Sequence, residues 1–86
     1  MVEVKESVRQ FILAKFLPGE SAANVRDETR LLTSGILDSL ASLELVSYIE
    51  HEFGVELTAA DRSAENLDRI VDIARLVQLR RSKEGE

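Results

Sequence analysis

Residues 35–54 constrain the fold of this chain more than any other stretch, because they contain the start, body and end of one helix. Asp38 is a suitable N-cap, since its side-chain oxygen can accept from backbone N–H groups that the first helical turn leaves unpaired. Gly54 is a suitable C-cap, since it adopts the left-handed conformation without a Cβ penalty. Apolar residues between them recur at spacings of three and four, on one predicted face: Leu40, Leu43, Val46, Ile49 and Phe53. The pattern predicts an amphipathic helix over 39–53.

Ser39 occupies the first position of this predicted helix. A side chain in the first turn points away from the helix body, and Gly35 allows unusual backbone geometry just upstream, so we expect Ser39 to be exposed. The positive end of the helix dipole and several free N–H groups would favour a phosphate ester on its oxygen. On spacing alone, however, a serine that only begins a helix is the simpler interpretation.

The run Asp38-Ser39-Leu40, preceded by Gly35 and followed by a helix that ends in Glu-Phe-Gly-Val, resembles the phosphopantetheine attachment site of acyl and peptidyl carrier proteins. The similarity extends over about residues 4–79 in length and element order. The tripeptide alone is a weak motif, but with the helix, its stop and a small acidic chain it becomes specific. The resemblance implies that Ser39 carries 4′-phosphopantetheine, which a separate phosphopantetheinyl transferase takes from coenzyme A. Asp38 and Leu40 would complete the cofactor-binding motif.

The resemblance also implies a function and a set of partners. The chain would hold an acyl or aminoacyl group as a thioester and deliver it from a loading enzyme to downstream synthase or tailoring enzymes. Leu40, Glu44 and Val46, in the first half of the helix, would form the partner-docking surface.

Two features differ from the carriers of fatty acid synthases. Ile36 and Leu37 are more hydrophobic than the short segment usual before the motif, and Ala41 stands where an acidic residue is common. The run Gly-Ile-Leu-Asp-Ser-Leu is closer to stand-alone carriers, such as D-alanyl, aminoacyl and extender-unit carrier proteins. We therefore expect a discrete carrier in polyketide, nonribosomal peptide or related specialised biosynthesis.

Length and composition fit a single domain over residues 1–86, near the size at which one core is just sufficient. The chain has no cysteine, which excludes disulfides, thiolate metal sites and a protein thiol nucleophile. Its net charge is −5, and residues 38–72 hold nine acidic residues against two basic ones. Such a surface disfavours nucleic acid and suits basic patches on protein partners. No apolar run is long enough to span a membrane, so we expect a cytoplasmic protein.

The first half of the chain predicts one more helix and a long loop. Apolar spacing places a helix over 4–16, which Pro18 and Gly19 should end. A loop over 20–37 follows, and it is long enough to be functional or to conceal a short helical turn. Four apolar residues should hold this loop on the core: Leu31, Leu32, Ile36 and Leu37.

The second half predicts a short and a long helix. The spacing of Thr58 and Asp61 suggests a capping-box start, with a short helix or turn to about Ala64. A last helix follows over 67–79, with Asn66 as its N-cap, and a flexible tail covers 80–86. Together with the first two helices, these segments predict a small all-α four-helix bundle of acyl-carrier-protein type, with three longer helices and one short one.

Neither catalysis nor metal binding is expected. His51 is the only histidine, and twelve helical residues place it roughly 18 Å from Ser39, beyond hydrogen-bond reach. Leu37 and Ala41 replace the glycines of a hydrolase elbow, and the acidic residues do not follow a calcium-loop spacing. The alternative to a carrier is an unmodified acidic helical module that binds a basic partner, with Ser39 only beginning the helix. Within the carrier class, the alternative is a domain excised from a multimodular synthase.

Overall fold

The computed structural model describes the backbone of residues 2–84 and the side chains of residues 3–81. Three long helices and one short one follow each other, with a 3-10 turn in the first long loop: α1 (Val2–Phe16), the 3-10 turn (Ala22–Asn24), α2 (Ser39–Phe53), α3 (Ala64–Leu67) and α4 (Ile70–Glu84). Over the described residues there is no strand, and the helices enclose one apolar core. The predicted all-α bundle is confirmed.

The core is aliphatic and lies where α1 packs against both α2 and α4. Its completely enclosed side chains come from all three long helices and include Ile12, Leu45, Ile49, Ile73 and Val77. Burial of each such side chain contributes about 1.5–3 kcal/mol to the free energy of folding. Aromatic rings add a contact at the edge of the core, where Phe11 of α1 stacks on Tyr48 of α2 with ring centroids 4.1 Å apart.

Both predicted caps of α2 are confirmed. Asp38 precedes the helix in extended geometry, and its Oδ1 accepts from the Ala41 N–H at 2.8 Å. Gly54 follows the helix with φ 65° and ψ 36°, in the left-handed region. Because each cap is a local interaction, the sequence alone identifies both ends of this helix.

The predicted buried face of α2 is only partly right. Val46 and Ile49 are buried and Phe53 is half-buried, but Leu40 and Leu43 are 68% and 58% exposed. Ala41 and Leu45 occupy the core in their place. The helix carries two overlapping apolar stripes with the same spacing, and only packing against α1 and α4 decides which of them is buried.

The loop between α1 and α2 is held on the core as predicted. Leu31 and Leu37 are fully buried, and Leu32 and Ile36 are half-buried against the same core. The expected short helical turn is the 3-10 turn, which Ser21 caps by accepting from the Ala23 N–H.

The segment before α4 follows its prediction in part. Thr58 and Asp61 do form reciprocal capping bonds, from Thr58 N–H to Asp61 Oδ2 at 3.0 Å and from Asp61 N–H to Thr58 Oγ1 at 3.1 Å. These bonds close the predicted turn, and a separate short helix, α3, begins after Ser63. Asn66 lies inside α3 and caps no long helix, because its amide donates to the Ala60 carbonyl instead.

The last helix starts and ends later than predicted. It begins at Ile70 and continues to Glu84, whereas the sequence prediction ends the ordered core at residue 79. A contact with a distant loop accounts for part of this extension, since Arg80 donates to the buried Asp61 at 2.8 Å. Residues 85 and 86 of the predicted tail lie outside the described residues.

Candidate functional site

Ser39 lies at the first position of α2, directly after the N-cap. Its side chain is exposed, as predicted, and so are those of Asp38 and Leu40 on either side. One turn further along, the Ser42 hydroxyl donates to the Ser39 carbonyl at 2.7 Å, which turns Ser42 toward the backbone. The Ser39 hydroxyl is thus open to a large partner at the mouth of a fifteen-residue helix.

A short closed loop, residues 31–37, delivers the chain to this position. The Leu37 N–H donates to the Leu31 carbonyl at 2.8 Å, so the two ends of the loop meet. Gly35 at its tip has φ 87°, a conformation that glycine adopts without strain. Leu31 and Leu37 are both buried, which fixes the point from which Asp38 and Ser39 emerge.

Two shallow depressions meet at Gly35 and Asp38. One is lined further by Leu32, Leu37, Ser39 and Ser42. The other is lined further by Phe16, Ile36, Leu40, Ala41 and Glu44. The surroundings of the Ser39 hydroxyl are therefore open and partly apolar, and they offer room for an elongated group on either side of the motif.

The helix dipole and the nearby carboxylates have opposite effects on a phosphate at Ser39. The N-terminus of α2 favours an anion, while the Asp38 carboxylate supplies part of that negative charge as the cap. Glu44, one and a half turns along, lies 3.3 Å from Lys15 of α1, and both side chains are about half exposed. An exposed ion pair of this kind contributes about 0–1 kcal/mol, so Glu44 can exchange Lys15 for a cation of a partner.

The three predicted docking residues meet different environments. Leu40 is largely exposed and Glu44 is accessible, so both can contact a partner. Val46 is only 5% exposed and packs in the core, so it offers little surface to a partner, and its role in docking stays a prediction. Leu43, which the sequence prediction places in the core, is exposed between Leu40 and Glu44 along the helix.

The only histidine of the sequence lies away from Ser39. His51 is exposed near the C-terminal end of α2, at the opposite end from Ser39. Among the side chains of residues 3–81, no group of three acidic, histidine or cysteine residues could hold a metal ion. None of the described helices is long and apolar enough to cross a membrane.

Comparison with protein families supports the carrier interpretation of the chain. The family described as "Phosphopantetheine attachment site" matches residues 12–77, more than half of the chain. The protein belongs to the phosphopantetheine attachment site family. A comparison with curated proteins found no match.

Domains of the phosphopantetheine attachment site family are carriers without catalytic activity of their own, and they bear a covalently attached 4′-phosphopantetheine. The residues of this carrier domain fit such a group. Ser39 offers an exposed hydroxyl, the N-terminus of α2 favours the phosphate, and the two depressions leave space for the arm. The carrier interpretation made from the sequence is confirmed at the level of the family.

One residue close to the site was missed in the sequence analysis of this carrier domain. Asp68, between α3 and α4, is buried and accepts hydrogen bonds from the loop before Ser39. The only local signal is an aspartate among apolar residues near a helix end, which also fits an exposed cap. Its partners lie 35 and 36 residues away in the chain, and no spacing rule connects them.

Proposed function

We propose that the protein is a stand-alone acyl or aminoacyl carrier protein in specialised biosynthesis and that Ser39 is its attachment residue. One observation carries the assignment of Ser39. Within the region that matches the family, it is an exposed serine at the start of a long, well-capped helix. The protein would act in the cytoplasm.

The division of chemistry between protein and cofactor follows from composition. The chain has no cysteine, so any thiol must come from the bound group. When attached, 4′-phosphopantetheine supplies the terminal thiol that holds the cargo as a thioester. The protein tethers this arm at Ser39, which raises the effective concentration of cargo at each enzyme that docks.

The docking surface that we propose consists of Leu40, Leu43 and Glu44 on the exposed side of α2. The two leucines offer apolar area close to the attachment residue, and Glu44 offers a carboxylate that can pair with a basic group. The same surface would serve the phosphopantetheinyl transferase, the loading enzyme and the downstream synthase or tailoring enzymes. The nature of the cargo would depend on the loading enzyme.

The test is a measurement of intact mass before and after incubation with coenzyme A and a phosphopantetheinyl transferase of broad specificity. Wild-type protein should gain one phosphopantetheine group, and Ser39→Ala should gain none. Ser42→Ala is the matched control, because it removes a hydroxyl one turn away on the same helix. It should gain the group as wild type does.

Two results would contradict the proposal. Modification of Ser39→Ala would show that another serine is the acceptor. No mass gain in folded, initially unmodified wild-type protein would instead favour the acidic interaction module. Circular dichroism of each variant shows that the helices are intact before the comparison is made.

A further inference from the structure

Asp68 makes an unusual set of contacts for an aspartate at the end of a short helix. Its side chain is 5% exposed. Oδ1 accepts from the Leu32 N–H at 2.7 Å and from the Thr33 N–H at 3.0 Å, and Oδ2 accepts from the Thr33 hydroxyl at 2.9 Å. The Asp68 carbonyl accepts from the Leu31 N–H at 2.7 Å. One residue thus binds three consecutive residues of the loop before Ser39.

The carboxylate is charged in this environment. Burial by itself raises the pKa of Asp68, but hydrogen bonds from the backbone and hydroxyl of Thr33, the backbone of Leu32 and the side chain of Arg30 outweigh it. The pKa therefore lies below its usual value. A charged acceptor with several donors makes stronger hydrogen bonds than a neutral one, so the loop is held firmly.

Two backbone hydrogen bonds and a short stretch of chain connect Asp68 to Ser39. Leu31 is bound to the Asp68 backbone, and the Leu31 carbonyl accepts from the Leu37 N–H. Leu37 is followed by the N-cap Asp38 and then by Ser39. Loss of the carboxylate contacts would free one side of the 31–37 loop and let its far end, which sets the position of Ser39, take up other arrangements.

We propose that Asp68 is a positioning residue for modification at Ser39: it keeps the 31–37 loop in the arrangement that a phosphopantetheinyl transferase recognises. This inference rests on the proposed function. Asp68 does not contact the reacting hydroxyl and acts only through the loop. Its role is to increase the fraction of molecules that present Ser39 correctly.

Asp61 provides a matched control for an Asp68→Asn test. Both aspartates are buried, both pair with an arginine, both accept from backbone N–H groups, and both have a lowered pKa. Asp61, however, links α4 to the turn that starts at Thr58. It is not bonded to the 31–37 loop. The experiment compares Asp68→Asn with Asp61→Asn in the full chain, with coenzyme A and the transferase as probes.

We expect the Asp68→Asn substitution to raise the KM of the transferase for the protein on the order of tenfold while kcat stays within about twofold, because fewer molecules are competent to bind. Amide hydrogen exchange at Leu32 and Thr33 should accelerate by a similar factor. Asp61→Asn should change neither quantity, although both variants lose stability. If Asp68 contributed only to stability, the two variants would show the same KM and the same exchange rates at Leu32 and Thr33.

An unchanged KM in folded Asp68→Asn, or an equal rise in both variants, would overturn the inference. If Asp68→Asn does not fold, Thr33→Val removes only the hydroxyl contact and is judged by the same criteria. Failure of the proposed function looks different, since wild-type protein would then gain no phosphopantetheine at all. A wild-type gain with an unchanged KM in the folded variant refutes the positioning role alone.

Discussion

Asp38, Ser39 and Leu40 are neighbours in the chain, yet each has a different physical task. The Asp38 carboxylate accepts from the Ala41 N–H and is committed to the helix. The Ser39 side chain is exposed, and the Leu40 side chain is 68% exposed. An apolar side chain left in water beside Ser39 adds little to the core and is available to a partner.

The contrast between Leu40 and Leu45 gives a prediction at this scale. Leu40→Ala should change the free energy of unfolding by less than about 0.5 kcal/mol, because the side chain is already solvated. Leu45→Ala should cost about 2–5 kcal/mol, because that side chain is fully buried. Urea unfolding followed by circular dichroism measures both values.

The same pair tests docking when modification by the transferase is measured. Leu40→Ala should lower kcat/KM roughly fivefold, the effect of about 1 kcal/mol of lost contact. Leu45→Ala, measured where it remains folded, should lower it less. A Leu40→Ala protein that is modified as fast as wild type would remove Leu40 from the docking surface.

At the scale of the elements, the helices differ in how far local sequence determines them. The ends of α2 are predictable because Asp38 and Gly54 act within one turn of the helix. The division between α3 and α4 is not, because the Asp68 carboxylate is fixed by a loop more than 30 residues earlier in the chain. The buried face of α2 is likewise decided by its neighbours, since Leu43 and Leu45 fit the helical spacing equally well.

Gly54 gives a prediction for the end of α2. Its φ of 65° disfavours residues with a Cβ, although the space around the position is open. Gly54→Ala should therefore lower the free energy of unfolding by about 1–2 kcal/mol. Gly54→Asn is the control and should cost less, because asparagine tolerates this conformation. Equal costs of the two substitutions in urea unfolding would contradict the assignment of the effect to backbone strain.

At the scale of the whole molecule, three aspartates join separate parts of the bundle. Asp27 accepts from Lys5 of α1 at 2.9 Å, and its carbonyl accepts from Val71 of α4. Asp61 and Asp68 tie α4 and the 31–37 loop to the segment around α3. Hydrogen bonds lower the pKa of each aspartate below 3.8. They come from Lys5 to Asp27, from Arg80 to Asp61, and from the 31–37 loop to Asp68.

The lowered pKa values predict acid unfolding. Between the folded pKa and 3.8 the unfolded chain binds more protons than the folded one, so the free energy of unfolding falls as the pH falls. Stability from these groups should be fully present near neutral pH and be lost progressively below about pH 4. Asp61→Asn should be less stable at pH 7 and should show a shallower decline. Urea unfolding at several pH values checks both, and a decline as steep as that of wild type would contradict the assignment.

The meeting of Leu31 and Leu37 at the base of their loop has a practical consequence for protein engineering. Because the ends are already joined, extra residues at the exposed tip, for example after Ser34, need not lengthen the path from Leu37 to Ser39. Doubling the length of a flexible loop costs only about 0.6 kcal/mol in closure entropy. A fluorescent label inserted there would lie beside Ser39, and it should slow modification if the transferase recognises the 31–37 loop as proposed.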